Sequence, residues 1–229
     1  MQKWLPGMVV MLTLLVALIP DGARAQMWTL RTNAGYSNSS FYGGTKLLGD
    51  ESRNGFAAGI AADYRRQLGD AWSFEFGAYY VQKGAEGKIE RNPVDPVQPP
   101  IDFAFDGTTK LDYLEFSFLF VGHLATGTNS EIRAYLGPAL GNLLRARAKG
   151  VLDGEDVDLD IKDNLHTAEF EVVAGIGFTY YLKNDMGLMI DFRNVLGATS
   201  IVGDEFPNDL YTRTHELLVG VSIPLTRGE

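Results

Sequence analysis

Eight stretches in which apolar and polar residues alternate follow one another between Gln26 and Glu229, and no other feature of the sequence constrains the fold as strongly. Successive side chains of a β-strand point to opposite faces, so alternation over about ten residues predicts a strand with one apolar and one polar face. The predicted strands cover residues 28–37, 55–67, 71–83, 109–124, 131–146, 167–182, 187–196 and 213–225. The pattern therefore predicts an all-β fold.

The connections between these strands alternate between long and short. The short ones cover residues 68–70, 125–130 and 183–186. The long ones are centred near Gly43, Asp95, Glu155 and Glu205. Outer-membrane barrels have short turns in the periplasm and longer loops outside the cell. The rhythm thus predicts an eight-stranded antiparallel up-and-down transmembrane β-barrel with both chain ends in the periplasm.

The first segment of the chain has the features of a secretory signal peptide. Lys3 provides a positive start, residues 8–19 are apolar, and Ala23-Arg24-Ala25 forms a small-x-small cleavage site. An apolar run of about a dozen residues is too short to cross a bilayer as a helix. We therefore expect a signal peptide over residues 1–25 and an outer-membrane barrel domain over residues 26–229, in the outer membrane of a Gram-negative bacterium.

Composition excludes two classes of function. The formal net charge of −9 argues against a nucleic-acid partner, because nucleic-acid binding requires a basic face. The chain contains no cysteine, so it can form neither a disulfide nor a thiolate metal site.

One face of the predicted strands is crowded with large apolar side chains, such as Phe74, Phe116, Phe118 and Phe178, and the other carries small and charged residues. A membrane barrel turns the apolar face to lipid, whereas a soluble lipocalin-like barrel turns it inward. The narrow interior of an eight-stranded barrel has little room for so many aromatic rings. The membrane barrel is therefore the favoured interpretation, and the soluble periplasmic barrel with a lipophilic ligand remains an alternative.

The polar face predicts a lumen filled with structural charges. The expected lumen residues are Arg31, Asp63, Arg65, Glu75, Glu115, Arg133, Glu169, Glu171, Asp191, Arg193 and Glu216. Arg145 has the same parity, so that all the cations predicted in mid-strand are arginines, whose planar fork suits enclosed carboxylates. We expect one network of ion pairs, in which Glu115 and Arg133 are partners across a short turn.

Few residues are candidates for other chemistry. His123 is expected at the periplasmic rim, and His166 and His215 are assigned to the apolar and the polar face, so they should not converge. The acidic stretch 153–160 lacks the glycine and glutamate of an EF-hand loop and instead fits a strand of a solvated hairpin. Glycines on the polar face, at 35, 59, 77, 137, 141, 175, 177 and 220, are expected to make room for neighbouring side chains. We predict no catalytic residue, cofactor or metal.

Several short motifs resemble the PorT-like outer membrane β-barrel family of Bacteroidetes and their relatives. They are the segments 80–85 (YVQKGA), 111–115 (LDYLE), 135–141 (YLGPALG), 175–177 (GIG), 191–193 (DFR) and 196–197 (LG). The resemblance implies an outer-membrane barrel, mostly without an assigned activity, and one class of members assists protein secretion and gliding. The chain differs from the family at its end, where Leu225 and residues 226–229 replace the usual terminal aromatic residue.

Together these observations predict a membrane barrel with a plugged or narrow lumen and a structural or interaction role in the cell envelope. Its expected partners are outer-membrane lipid and, through the outer loops, envelope or secretion proteins. The alternative functions are an outer-membrane enzyme that modifies lipid and the soluble ligand-binding barrel.

Overall fold

The computed structural model describes residues 27–43, 51–66, 71–89, 105–152, 154–183, 185–203 and 209–225. These residues form nine strands: β1 (Met27–Gly43), β2 (Glu51–Arg65), β3 (Trp72–Ile89), β4 (Phe105–Ala125), β5 (Ser130–Leu152), β6 (Glu155–Asp160), β7 (Ala168–Tyr181), β8 (Gly187–Gly197) and β9 (Leu210–Pro224). They also include a 3-10 turn over Lys162–Asn164. No helix among the described residues is long and apolar enough to cross a membrane.

Eight of the strands close into a barrel in which all neighbours are antiparallel. The order around the barrel is β1, β2, β3, β4, β5, β7, β8 and β9, and β9 pairs with β1 to close the sheet. The short β6 pairs with β5 and lies outside this cycle. The predicted eight-stranded antiparallel up-and-down barrel is confirmed, and its predicted sixth, seventh and eighth strands are β7, β8 and β9.

The apolar face of the sheet points outward. Phe74, Phe118 and Phe178 each expose about two fifths of their surface, while their strand neighbours of opposite parity are buried. On β1, β2 and β3 the outward positions are largely apolar over residues 28–36, 56–64 and 72–80. Each run has the length that a tilted strand needs to cross a bilayer, about 9–11 residues. A soluble barrel with an apolar interior would require the opposite arrangement.

Several strands extend beyond their predicted ends, mainly on the side of the long connections. β5 runs to Leu152 and forms a hairpin with β6, so the acidic stretch is a hairpin strand as expected. Gly43 ends β1 and Glu155 begins β6. The loop centres near Asp95 and Glu205, the turn at 68–70 and the predicted signal peptide lie outside the described residues.

A β-bulge in β5 overturns the prediction for Arg145. The pairing of β4 with β5 passes from Tyr113–Leu143 to Asp112–Arg145, so Leu144 is an extra residue without a partner on β4. An extra residue reverses the alternation of faces beyond it. Arg145 therefore lies exposed on the outer wall, and Ala146 is buried inside.

An apolar cluster covers the end of the lumen on the side of the β5–β6 hairpin. Leu165 forms an isolated β-bridge with Val202, and Ile201 is fully buried beside them. The chain segments that carry these residues fold inward over the barrel end and pack on Leu111 and Leu143. Among the described residues, apolar side chains therefore pack together at this end of the barrel.

Candidate functional site

Apart from Arg145, the charged residues predicted for the lumen are all buried inside the barrel, and the most exposed of them, Arg65, retains only 7% of its surface. They occupy the face opposite to the outward aromatic residues on every strand that carries them. Burial of this many charges requires that partners surround them. The structure shows three groups of such partners and one separate pair.

The first group is centred on Arg133 and joins β1, β2, β3, β5 and β8. The Arg133 guanidinium donates to Asp191 through Nε at 3.0 Å and through Nη2 at 2.8 Å, and its Nη1 lies 2.5 Å from Glu75 Oε2. Arg31 approaches the same Glu75 at 3.7 Å and Asp63 at 3.6 Å. Two arginines thus bracket Glu75, and Arg133 binds Asp191 with the two-pronged fork that favours arginine over lysine.

The second group is centred on Lys83, which is not among the predicted lumen residues. Its ammonium nitrogen lies 2.8 Å from Glu115 and 3.6 Å from Glu169, and it contacts Glu171. Thr212 also donates to Glu169, at 2.7 Å. The expectation that the enclosed cations are all arginines is wrong, because β3 continues to Ile89 and Lys83 is therefore interior. The signal was available in the sequence, since Lys83 has the same parity as Glu75.

Glu115 and Arg133 are not partners. Their strands are neighbours, as expected, but Glu115 lies opposite Gly141 and Arg133 lies opposite His123. Eight residues along β4 separate these levels, which is about 26 Å at the rise of a strand. The two side chains therefore belong to different groups of charges.

Arg193 and Glu216 form the separate pair near the middle of the barrel. The distance between Arg193 Nη1 and Glu216 Oε2 is 3.4 Å. The Arg193 guanidinium also stacks on the ring of Tyr79 at 3.9 Å. A Cβ at Gly59 or Gly77 would collide with this ring. These glycines leave space for a neighbouring side chain and do not form a phosphate-binding loop.

The third group lies at the end of the barrel where β4 turns into β5, and it includes His123. The His123 side chain is only 3% exposed, so it is an interior residue, not the rim residue expected. Its Nδ1 lies 2.8 Å from Glu131 Oε1, and its Nε2 lies 2.7 Å from the Ser73 hydroxyl. Arg65 donates to Glu131 at 2.9 Å and contacts the His123 ring. This group links β2, β3, β4 and β5 across the lumen.

Ser73, His123 and Glu131 follow one another in the order of a hydrolase triad. The Ser73 hydroxyl, however, also lies 3.1 Å from Asp63, whose negative charge would oppose an oxyanion at that position. Ser73 is 2% exposed, so a substrate has no direct access to it. The chain of hydrogen bonds therefore fits a structural role, in which it holds neighbouring strands together, better than a catalytic site.

The other two histidines lie away from the lumen charges. His166 is exposed in the segment before β7. His215 points outward and stacks on Phe192 with ring centroids 6.2 Å apart. Its assignment to the polar face is wrong, because the inward residues of β9 at this point are its two neighbours, Thr214 and Glu216. In the described parts of the chain, no three His, Asp or Glu side chains are arranged to hold a metal ion.

Solved structures of outer-membrane proteins are similar to this chain. Neisserial surface protein A is 18% identical, over 86% of this chain and 96% of that one, with a TM-score of 0.46. A major outer membrane protein from Thermus thermophilus is 10% identical, over 88% and 100%, with a TM-score of 0.49. OprG from Pseudomonas aeruginosa is 12% identical, over 90% and 99%, with a TM-score of 0.40. Identities this low carry no information about function, and no curated protein matches the sequence.

The family of the chain is shown by its sequence. The model of the outer membrane protein beta-barrel domain matches residues 23–203, which include β1 to β8. The narrower PorT-like resemblance stays a prediction. With its closed eight-stranded sheet and apolar outer wall, the chain belongs to the outer membrane protein beta-barrel domain family.

Proposed function

We propose that this protein is an integral outer-membrane barrel with a closed lumen, which acts in the cell envelope through its outer loops and not as a channel or an enzyme. The observation that carries the proposal is the burial of the predicted lumen charges: apart from Arg145, none of them exposes more than 7% of its surface. Charges that line a water-filled channel would be exposed to solvent in the lumen. Here they bind one another.

Apolar groups support the same proposal. One buried cluster contains Leu119, Val121 and Val173, and another contains Val81 and Leu218, so apolar side chains fill space between the groups of charges. The bridge between the segments before β7 and after β8 adds an apolar cover at one end, and the hydrogen-bonded histidine group joins strands at the other. A continuous water path would have to pass all of these layers.

The orientation that we propose places the β5–β6 hairpin outside the cell. The hairpin rises beyond the lipid-facing band, and the connection between β4 and β5 at the opposite end is only residues 126–129. Outer-membrane barrels have this asymmetry, with long outer loops and short periplasmic turns. The outer loops would then contact envelope or secretion proteins, and residues 1–25 would be removed as a signal peptide.

Conductance in planar bilayers tests the closed lumen. Purified protein should give no large, steady current under conditions in which a general porin conducts. Stable channel openings from pure protein would contradict the proposal.

Crosslinking in the native envelope tests the role of the loops. Wild-type protein should capture the same envelope proteins repeatedly, and a variant with residues 153–160 replaced by glycine and serine should lose part of this set. The matched control replaces residues 126–129 in the opposite turn and should lose none. Identical capture by all three proteins would contradict a role for the hairpin.

A further inference from the structure

The β-bulge at Leu144 has a second effect, on the outer wall of the barrel. It turns Arg145 outward, onto the face that also carries Lys110 of β4 and Arg147 of β5. Lys110 and Arg147 are direct register partners on neighbouring strands. Bulges often re-aim a side chain beside a functional site. Here the result is a group of cations on one small area of the wall.

This area is more positive than the protein as a whole, whose net charge is −9. We call it the basic patch, formed by Lys110, Arg145, Arg147, Lys149 and Lys162. The acidic residues beside it are Asp112, Asp158 and Asp160, which face Arg145, Lys149 and Arg147 in register, and Asp163, which follows Lys162. Cations therefore outnumber acids in the patch, whereas the hairpin tip beyond it carries Glu155 and Asp156.

The cations of the basic patch are only partly neutralised. Arg147 lies 3.2 Å and Lys149 lies 2.8 Å from the same carboxylate oxygen of Asp158. Within the described residues, Lys110 and Arg145 form no ion pair within 4.0 Å. Like charges directly opposite on neighbouring strands destabilise a sheet. The pairing of Lys110 with Arg147 is therefore unfavourable, and Asp158 offsets it only on the Arg147 side, so a further anion beside Lys110 would stabilise this site.

The depth of the patch indicates what that anion is. Leu114 and Leu144, which belong to the lipid-facing side, lie immediately below Arg145 and Asp112. The cations of the patch follow these leucines by about two to four residues, and over that distance a tilted strand rises about 5–10 Å. The polar layer on each side of a bilayer core is about 5–8 Å thick. The patch thus lies at the level of lipid headgroups.

We propose that Lys110, Arg145 and Arg147 bind the phosphate groups of a phosphorylated lipid in the outer leaflet. Two arginines offer forked donors to phosphate oxygens, and the lysine adds a third positive charge. The anionic lipid offsets the repulsion between Lys110 and Arg147. The inference rests on the orientation given under the proposed function, because only that orientation places the patch in the outer leaflet.

Native mass spectrometry of the full chain in a non-ionic detergent tests this site. The probes are lipid A with two phosphates and the same lipid with its phosphates removed. We expect the wild-type protein to retain the phosphorylated lipid at least about tenfold better than the dephosphorylated one, as two lost charge-assisted contacts would allow. The variant Arg145→Gln/Arg147→Gln should lose this preference, and Arg145→Lys/Arg147→Lys should keep most of it.

The control variant Arg66→Gln/Arg213→Gln removes two exposed arginines elsewhere and should retain the preference. Circular dichroism of every variant shows that the barrel is folded. Equal retention by the glutamine variant and the wild type would overturn the proposal. So would full competition by millimolar inorganic phosphate, which would indicate a site for a soluble anion. Neither result depends on conductance or crosslinking, so failure here is distinguishable from failure of the proposed function.

Discussion

Arg133 of β5 reaches across β7 to bind Asp191 of β8, and Gly177 of β7 is the register partner of both residues. The two hydrogen bonds of this fork pass over the strand between them. A Cβ at Gly177 would collide with the Asp191 carboxylate and lie 2.9 Å from Arg133 Nε. The glycine is therefore a requirement of the ion pair.

Substitution of this glycine should loosen the first group of charges. We expect Gly177→Ala to lower the free energy of unfolding by about 1–3 kcal/mol, the usual cost of overpacking. Urea unfolding in detergent micelles measures it. Ile176→Val, at the adjacent outward position, is the control and should cost less. Equal effects of the two substitutions would show that the fork tolerates a side chain at position 177.

Double-mutant cycles should separate true partners from residues that share only a face. Arg133→Leu or Asp191→Leu alone should cost about 3–5 kcal/mol, because each leaves a buried charge unpaired. The double variant should cost less than the sum. The Arg133–Glu115 cycle should be additive within about 0.5 kcal/mol, since these residues lie in separate groups. Strong coupling in that second cycle would contradict the register described here.

The outward aromatic face should respond to charge as a lipid-exposed surface does. Phe118→Arg should cost about 2–4 kcal/mol of folding free energy in lipid, the range for arginine near the bilayer midplane. Phe118→Leu is the size control and should be well tolerated. If the arginine variant folds in lipid vesicles as well as the leucine variant, position 118 does not face lipid.

The absence of native cysteine allows a direct test of orientation. Thr128→Cys and Glu155→Cys both replace exposed residues, at opposite ends of the barrel. A maleimide that cannot cross the outer membrane should label the thiol introduced at position 155 on intact cells. It should reach the thiol introduced at position 128 only after lysis. The reverse pattern would invert the barrel and move the basic patch to the inner leaflet.

The titration of Asp158 in the β5–β6 hairpin should depend on the cations beside it. The hydrogen bond from Lys149, with the nearby charges of Arg147 and Arg145, holds the pKa of Asp158 below its ordinary value. A lowered folded-state pKa stabilises the hairpin above the ordinary carboxyl pKa, and this contribution disappears as pH falls through the lowered value. Carboxyl NMR should show the midpoint move upward in Lys149→Gln. An unchanged midpoint would mean that Lys149 does not bind Asp158 in solution.

Alternation in the sequence predicts the eight barrel strands and which side chains share a face, because a strand has a period of two. The alternation of long and short connections predicts their closure into a barrel. The rule of alternating faces failed at Arg145, where one bulged residue reversed it. Nothing in the local sequence at Leu144 marks the bulge. Lys83 was missed for a different reason, since its strand was predicted to end where it in fact continues.

The sequence pattern does not predict which charged side chains pair with one another inside the lumen. Parity places Glu115 and Arg133 on one face, but the level of each side chain depends on the stagger between strands around the whole barrel. This stagger brings Arg133 to Asp191 and Lys83 to three glutamates. His123 and Glu131 at the β4–β5 end lie inside for the same reason, because Arg65 of β2 and Ser73 of β3 reach them there.

The pairing of β1 with β9 joins Thr29 to Pro224, the beginning of the barrel to its end. The seam therefore cannot form until the last strand has been synthesised and delivered. Before that moment β1 and β8 each present an open edge, which is the arrangement most prone to pairing with the wrong chain. Contacts between such distant parts of a chain also slow folding. Pairing of β9 with β1 is thus the step that completes the barrel. Substitutions in β9 should therefore lower the yield of folded barrel more than equivalent substitutions in β3.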